Sequence, residues 1–531
     1  MKLCDVQEPL EGSRHTCGTS LESSSAAEAA TKREGFGCRA LPAVSFQRTA
    51  FQCYFCNFST KRGEVTDKES MLLRMVLTAL VIRLVVMVFL LDEQLDPTRD
   101  HWRFGYETGR IARSIAEGRG FSSPLFADTG PTAWMTPVYP YMVAGVFKVF
   151  GVYTKTSAIV LVSSNALIAS LTCIPIFLIA RKSFGERVAK WSGWGWAFCP
   201  YAIYFPVERI WETWLATLLL CLIFLITLDL ERDDRAWRWA LWGLLWGATA
   251  LTSPAVLSVL PFLAGWIVYQ RLRRGRSWFG VNAVAAVVFI VVVSPWIIRN
   301  YQVFHRFIPF RDNMGLVLRL GVKAEGVHWA HYELGPWHNE QEWTEFKQQG
   351  ELRYMDTKKQ QALESIREYP GWYVWTSLRR AVFLWTGYWS LNREYLVQEP
   401  LDLPNIAVCT VLTILALLGL GRVLRADFAG HLPYALVLFS FPLIYYFTSP
   451  EVYYRRPIDP FFVILSLAVL PKSRRKQKSS HEIAASSTRP EKLRPSPALD
   501  VLHCAAPALG RGAKLCVPEG MPRSALLSPT R

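Results

Sequence analysis

Residues 71–91 read MLLRMVLTALVIRLVVMVFLL, and this stretch decides the class of the chain. A helix rises 1.5 Å per residue, so a run of this length crosses roughly 30 Å, the hydrocarbon thickness of a bilayer. No small-residue cleavage site follows it. It therefore reads as a retained signal-anchor helix, with translation expected to start at Met71. Runs of similar character recur at about 156–180, 189–206, 211–229, 238–253, 255–270, 280–298, 403–421, 431–448 and 457–471. Two further segments, 136–150 and 372–390, are short or interrupted by charge and are expected to lie in the membrane interface. Of 531 residues, 51% are hydrophobic and 13% aromatic, more apolar side chain than one soluble core needs. The excess must face lipid. The sequence thus predicts an all-α polytopic membrane protein with about 10–12 transmembrane helices over 71–471 and outer-face loops at 92–135 and 299–371.

Outside that core, residues 1–70 are polar, rich in Ser, Ala and Gly, and show no sustained period. They read as a disordered or non-native extension. Residues 472–531, with the run KSRRKQKSS, read as a disordered basic cytoplasmic tail. The formal charge of +16 does not point to nucleic acid, because Lys and Arg cluster between apolar runs rather than on a soluble basic face. Placing Arg181/Lys182/Arg187, Arg232/Arg235/Arg238, Arg271/Arg273/Arg274/Arg276, Arg422/Arg425 and Arg474/Arg475/Lys476 together in the cytoplasm satisfies the positive-inside rule. It puts both termini in the cytoplasm and the long loops outside. The eleven Cys are scattered and give no disulfide framework; the Cys53/Cys56 pair reads as incidental.

The outer loops hold the residues that could carry chemistry. The first begins DEQLDPTRDHWRFGYETGRIARSIAEGRGFSSP, which puts Asp92, Glu93, Asp96, Asp100, His101 and Glu107 just after the first span. Carboxylates there could act as bases or bind metal, while acids at a helix exit also simply solvate it. From Tyr106 to Ala116 the spacing is helical, so Glu107 falls in a first turn, where the carboxylate form is favoured. Glu212 opens an apolar run with Glu208 one turn earlier, and a charge at a membrane boundary usually has a use. The 299–371 loop contains His328, His331, His338 and several Trp, suited to binding a polar sugar but without zinc-ligand spacing.

The string YETGRIARSIAEGRGF (106–121), followed by GPTAWMTPVYPYMVAGVFKVFG (130–151), resembles the first-loop signature of the family 39 glycosyltransferases. These are GT-C-fold relatives of the protein O-mannosyltransferases and the lipid A aminoarabinose transferase. The resemblance runs on through IWETWL (210–215), GATALTSPAVL (247–257), SPWIIRN (294–300) and YYRRPIDP (453–460), and so covers 71 to about 471. It implies a GT-C-like bundle that transfers a hexosyl or pentosyl unit from a polyprenyl-phosphate donor to a protein, lipid or glycan hydroxyl. Transfer would be inverting and extracytoplasmic, at the inner (plasma) membrane. The family carries Asp, often Asp-Glu, near the start of the loop helix, whereas Phe104 stands close to that place here. The general-base role accordingly passes to Glu107 first and Asp100 second, with His101 as a helper or metal ligand. Glu212 takes the family's second acidic position. Ser253 and Val322 stand where the family has Arg and Asn.

An acceptor hydroxyl needs a base within reach, and a departing lipid phosphate needs cations but no general acid. The cation candidates are Arg299, Arg455 and Arg456, whose planar forks suit phosphate. No organic cofactor is implied, though the acids leave room for a divalent metal. A flippase of lipid-linked sugars is the rival reading, but such proteins concentrate ionisable groups at mid-membrane. A non-catalytic envelope scaffold is the third.

Overall fold

The computed structural model describes residues 49–94, 104–323, 334–337, 339–387, 402–448 and 454–469, with backbone alone over 49–68, 92–94 and at 402. Asp100, His101, His328, His331, His338 and the tail from 472 lie outside the described residues. The regular elements of the described chain are helices: α1 (Thr49–Gln94), α2 (Glu107–Ala116), α3 (Val138–Phe150), α4 (Lys155–Leu171), α5 (Cys173–Phe184), α6 (Glu186–Ala197), α7 (Pro200–Glu208), α8 (Thr213–Leu230), α9 (Ala236–Ala250) and α10 (Leu260–Arg273). Then follow α11 (Phe279–Phe304), α12 (Met314–Lys323), α13 (Glu340–Gln349), α14 (Glu351–Glu368), α15 (Pro370–Thr386), α16 (Asp402–Ala426), α17 (Phe428–Ser440), α18 (Leu443–Phe447) and α19 (Asp459–Ala468).

Among the described residues, seven stretches are long and apolar enough to cross a membrane: Glu69–Leu91, Lys155–Phe184, Thr213–Leu230, Pro254–Arg273, Phe279–Phe304, Leu403–Ala426 and Phe428–Phe447. The chain is a polytopic helical membrane protein. Three expected spans come out shorter, two of them at a proline. The 189–206 run is split into α6 and α7 by Phe198–Cys199 ahead of Pro200, since proline cannot continue the preceding helix. The 238–253 run stops at Ala250, before Ser253 and Pro254, which open a 3₁₀ turn. The last run is helical over Asp459–Ala468. At the other end of the chain the helix begins at Thr49, so residues 49–70 are helical where an irregular extension was expected. Once an apolar span has nucleated, each added residue gains a hydrogen bond at little further entropic cost.

Between helices surrounded by lipid there is little hydrophobic drive, and close van der Waals packing takes its place. Glycines make that possible here. A Cβ on Gly243 would fall 2.2 Å from the Ala285 carbonyl oxygen of α11, and one on Gly247 would fall 2.7 Å from the Val292 side chain. Arg83, fully buried in the first span, ties that span to α7: its Nε donates to the Ala202 carbonyl (2.6 Å) and its Nη1 to that of Ala79 on its own helix (2.8 Å). The Ala202 carbonyl would otherwise face hydrocarbon unpaired, because Pro206, four residues on inside α7, has no N–H to give it.

The helices have two chemically distinct ends. At one, Lys182 and Arg238 both pair with Asp229, Arg238 also pairs with Asp233, and Arg271 and Arg276 both pair with Asp234. Three of the basic clusters therefore meet there. Following α8 back to its N-terminus, the 254–273 span back to Pro254, or α17 on through α18, leads to the opposite end and to a cavity. A Gly243→Val exchange should loosen α9 from α11 and lower stability by about 2–3 kcal/mol, read as a depressed Tm in detergent, whereas Gly265→Ala, with open space around it, should leave Tm unchanged.

Candidate active site

The site begins with one tight approach. Gly105 has φ +91°, and a Cβ there would lie 2.5 Å from the Ile210 carbonyl oxygen. Only glycine tolerates both the left-handed backbone and the contact. Tyr106 also has positive φ (49°), and its ring meets Trp211 edge-on at 5.9 Å. This juncture locks the first loop onto the 209–212 corner. Immediately beyond it on either side stand Glu107, first residue of α2, and Glu212, the residue preceding α8.

Both carboxylates line one cavity of about 420 Å³, together with Trp134, Trp211, Trp337, Arg311, Tyr445 and Tyr454. Glu107 and Glu212 are each only 7% exposed. The Glu107 Oε1 accepts from the Trp337 indole N–H at 2.7 Å. Burial raises the Glu107 carboxyl well above the usual range, against smaller opposing effects from its own backbone amide, Arg110, Trp337 and Arg311. Burial likewise pushes Glu212 up to about 7; its backbone amide and Arg311 oppose this and Glu107 adds to it. The Glu212 Oε2 is buried with no hydrogen-bond partner. Burial thus favours the protonated form of both acids, and a carboxyl in that state can donate a hydrogen bond where a carboxylate only accepts.

Arg311 is the residue that sequence reasoning missed. It leaves the turn after α11 between Phe310 and Asp312, and it lines the cavity facing both acids. It has no hydrogen bond or ion pair with any described residue. No periodicity marks it, since a lone Arg in a polar loop looks like any solvated side chain. Ser253, where the resemblance has Arg, lines the same cavity.

The arginines expected from the sequence sit elsewhere. Arg299 does not line the cavity: its Nη1 donates to the Thr132 carbonyl (2.8 Å) and its Nη2 to that of Phe121 (2.9 Å), and its guanidinium lies 5.0 Å from the Trp296 ring. Arg455 and Arg456 are 3% and 1% exposed and both pair with Asp459, at 2.8 and 3.0 Å. They form a cationic layer behind the wall, while their neighbours Tyr454 and Pro457 face the cavity. Arg209 pairs with Glu208, not Glu212. Val322 is buried, and Phe104 is fully buried against Phe147 and Tyr153. Among the described residues no cluster of three or more His, Cys, Asp or Glu could hold a metal ion.

Residues 134–298 match the family described as dolichyl-phosphate-mannose-protein mannosyltransferase. The family resemblance drawn from the ordered motifs is found on this stretch, which carries Trp134 and Glu212. No curated protein matches the chain. Among solved structures it is similar to the Archaeoglobus fulgidus oligosaccharyltransferase AglB in complex with an inhibitory peptide and dolichol-phosphate. The two are 14% identical with a TM-score of 0.45, over 81% of this chain and 53% of that one. It is also similar to the same organism's oligosaccharyltransferase in complex with Zn and sulfate (14% identical, TM-score 0.42, 74% of this chain and 48% of that one). A third is ArnT from Cupriavidus metallidurans bound to undecaprenyl phosphate (14% identical, TM-score 0.31, 73% and 76%). The chain spans about half the length of the archaeal proteins.

The buried acids bear on stability with a definite sign. Glu212 holds its proton to about pH 7 in the folded chain, whereas the unfolded chain releases it near the ordinary value of 4.5. Stability therefore falls as pH rises through that window. Glu212→Gln, which cannot ionise, should match the wild type at pH 4 and exceed it at pH 8 by on the order of 2 kcal/mol, measured by chemical denaturation in micelles.

Proposed function

We propose that the chain is a membrane glycosyltransferase that moves a sugar from a polyprenyl-phosphate donor to an acceptor hydroxyl. The reaction would be inverting and would take place at the bundle end opposite the basic clusters, the extracytoplasmic face of the plasma membrane by the positive-inside rule. The observation that carries this reading is the meeting of two buried carboxylates and one arginine without an ion-pair partner among the described residues, in an aromatic-walled cavity at one end of a membrane bundle.

Each part has a task. Ionised Glu107 takes the proton from the acceptor hydroxyl, whose oxygen attacks the anomeric carbon on the face opposite the phosphate. The bond from that carbon to the phosphate oxygen breaks, and the departing phosphate carries its electron pair as an anion that Arg311 can hold in two parallel hydrogen bonds. A phosphate of this kind leaves without protonation, so one base and one cation suffice. Glu212, pushed up to about 7 by burial, can in its protonated form donate a hydrogen bond that orients the acceptor or the sugar. Indole and phenol faces of Trp134, Trp337 and Tyr445 suit the apolar face of a sugar ring. Arg455 and Arg456, behind the wall with one carboxylate between two guanidiniums, add positive potential without touching the donor.

A transporter would need ionisable groups along a path at mid-membrane. Arg83 is charged and buried there, but its donors are engaged by the carbonyls of Ala79 and Ala202.

Transfer of radiolabelled sugar from polyprenyl phosphate tests the proposal. Glu107→Gln should lose roughly 10²–10⁴-fold in rate with its Tm retained, and full activity in that variant would remove Glu107 from the mechanism. Arg311→Ala should raise the KM for donor by about tenfold or more, with partial recovery in Arg311→Lys. Because the base works ionised and burial raises its pKa, the rate should climb with pH through the Glu107 ionisation. Trp337→Phe removes a hydrogen bond that favours the carboxylate, and so should move that acid limb to higher pH.

A further inference from the structure

Between Phe121 and Val138 the first loop runs as an extended strap whose middle residues, Trp134 and Met135, line the cavity. Its backbone is gripped from several sides. The Thr132 amide donates to the Phe121 carbonyl and the Ser123 amide to that of Gly130, which fold the strap on itself. At its far end the Thr136 hydroxyl donates to the Thr252 carbonyl at 2.8 Å and the Val138 amide to that of Leu251 at 3.1 Å. Those anchor it to the turn that follows α9.

Two contacts are of another kind, because they come from the second large loop. The Glu351 carboxylate, at the start of α14, accepts from the Thr132 hydroxyl and from the Ala133 amide (2.7 Å). Thr132 and Ala133 are fully buried. The Thr132 hydroxyl in turn accepts from the Trp134 amide at 3.0 Å, so the chain of bonds runs from Glu351 to the backbone of a cavity-wall residue. Opposite, the Ala133 carbonyl accepts from the Asp312 amide at 2.9 Å, and Asp312 is the neighbour of Arg311. Arg299 completes the grip by donating to the Thr132 carbonyl. Three consecutive residues, 132–134, thereby tie together α11, the turn bearing Arg311, and α14.

We propose that Glu351 is a positioning residue: its carboxylate clamps the 132–134 strap so that Trp134 and Arg311 are presented to the cavity in fixed register. This rests on the transferase reading of the cavity. Glu351 does not line that cavity, and it acts only through Thr132 and Ala133. Its two acceptor oxygens each meet one donor, which a neutral amide can largely imitate: the Gln oxygen takes the Ala133 N–H and its NH₂ group donates to the Thr132 hydroxyl. Alanine can do neither, and would leave a buried amide unpaired.

Hydrogen–deuterium exchange and donor kinetics on the full chain in lipid nanodiscs separate clamp from catalysis. In Glu351→Ala, peptides covering 131–135 and 309–313 should exchange about tenfold or more faster. The kcat/KM for polyprenyl-phosphate sugar should fall about 10–100-fold through loss of alignment. Glu351→Gln should restore both to within a few-fold of wild type. Thr132→Val, which removes only the hydroxyl, should shift both in the same direction by less, and decides the matter if Glu351→Ala does not fold. Unchanged exchange in Glu351→Ala would overturn the clamp. Faster exchange with unchanged kcat/KM, or Glu351→Gln as impaired as Glu351→Ala, would overturn the positioning role. A wild type inactive with every donor would overturn the transferase reading, and the catalytic part of the proposal with it; the exchange result would still judge the clamp.

Discussion

The backbone carbonyl of Ile210 lies so close to the bare Cα of Gly105 that no side chain could stand between them. This contact draws the loop after the first span against the corner ahead of α8, and so puts two glutamates 105 positions apart in sequence into one enclosed volume. Everything chemical in the molecule follows from it. Carboxylates so buried are expensive to ionise, which raises their proton affinity and gives Arg311 its value as a nearby positive charge.

The bundle around the site reflects a different constraint. Lipid cannot satisfy stray backbone groups, so Arg83 donates to the Ala202 carbonyl that Pro206 leaves without a helical partner, and helices pack closely where Gly243 and Gly247 remove the Cβ. The paired charges of 229–238 and 271–276 gather at one end and the cavity lies at the other. The bundle is thus polar along its length, with a cavity holding buried carboxylates at one end and dense ion pairs at the other.

Much of this was legible in the chain. Apolar runs of membrane length announced the helical bundle, and the helical spacing after Tyr106 put Glu107 in a first turn, where it stands. Glu212 stood out as an acid opening an apolar run. Span count was less legible, because hydropathy averages across Phe198–Pro200 and Ser253–Pro254 while the backbone breaks there. The cations were the least legible. Arg299, Arg455 and Arg456 end apolar runs and so attract notice, yet they are engaged with carbonyls or Asp459. Arg311 and Glu351 owe their roles to chain segments folding back over the cavity, and no local pattern encodes that. Asp100 and His101 lie outside the described residues.

The claim that carries the account is that Glu107 and Glu212 share one poorly hydrated cavity. Infrared difference spectroscopy across a pH titration reads it directly through the carbonyl stretch of protonated carboxyl groups. The account predicts that Glu212→Gln removes from the protonated-carboxyl absorption one component that in the wild type is lost as pH rises through about 7, and that Glu107→Gln shifts that component because the two groups interact. A wild-type chain whose carboxyl groups all lose their protons near the ordinary glutamate range, or a band indifferent to Glu107→Gln, would contradict it.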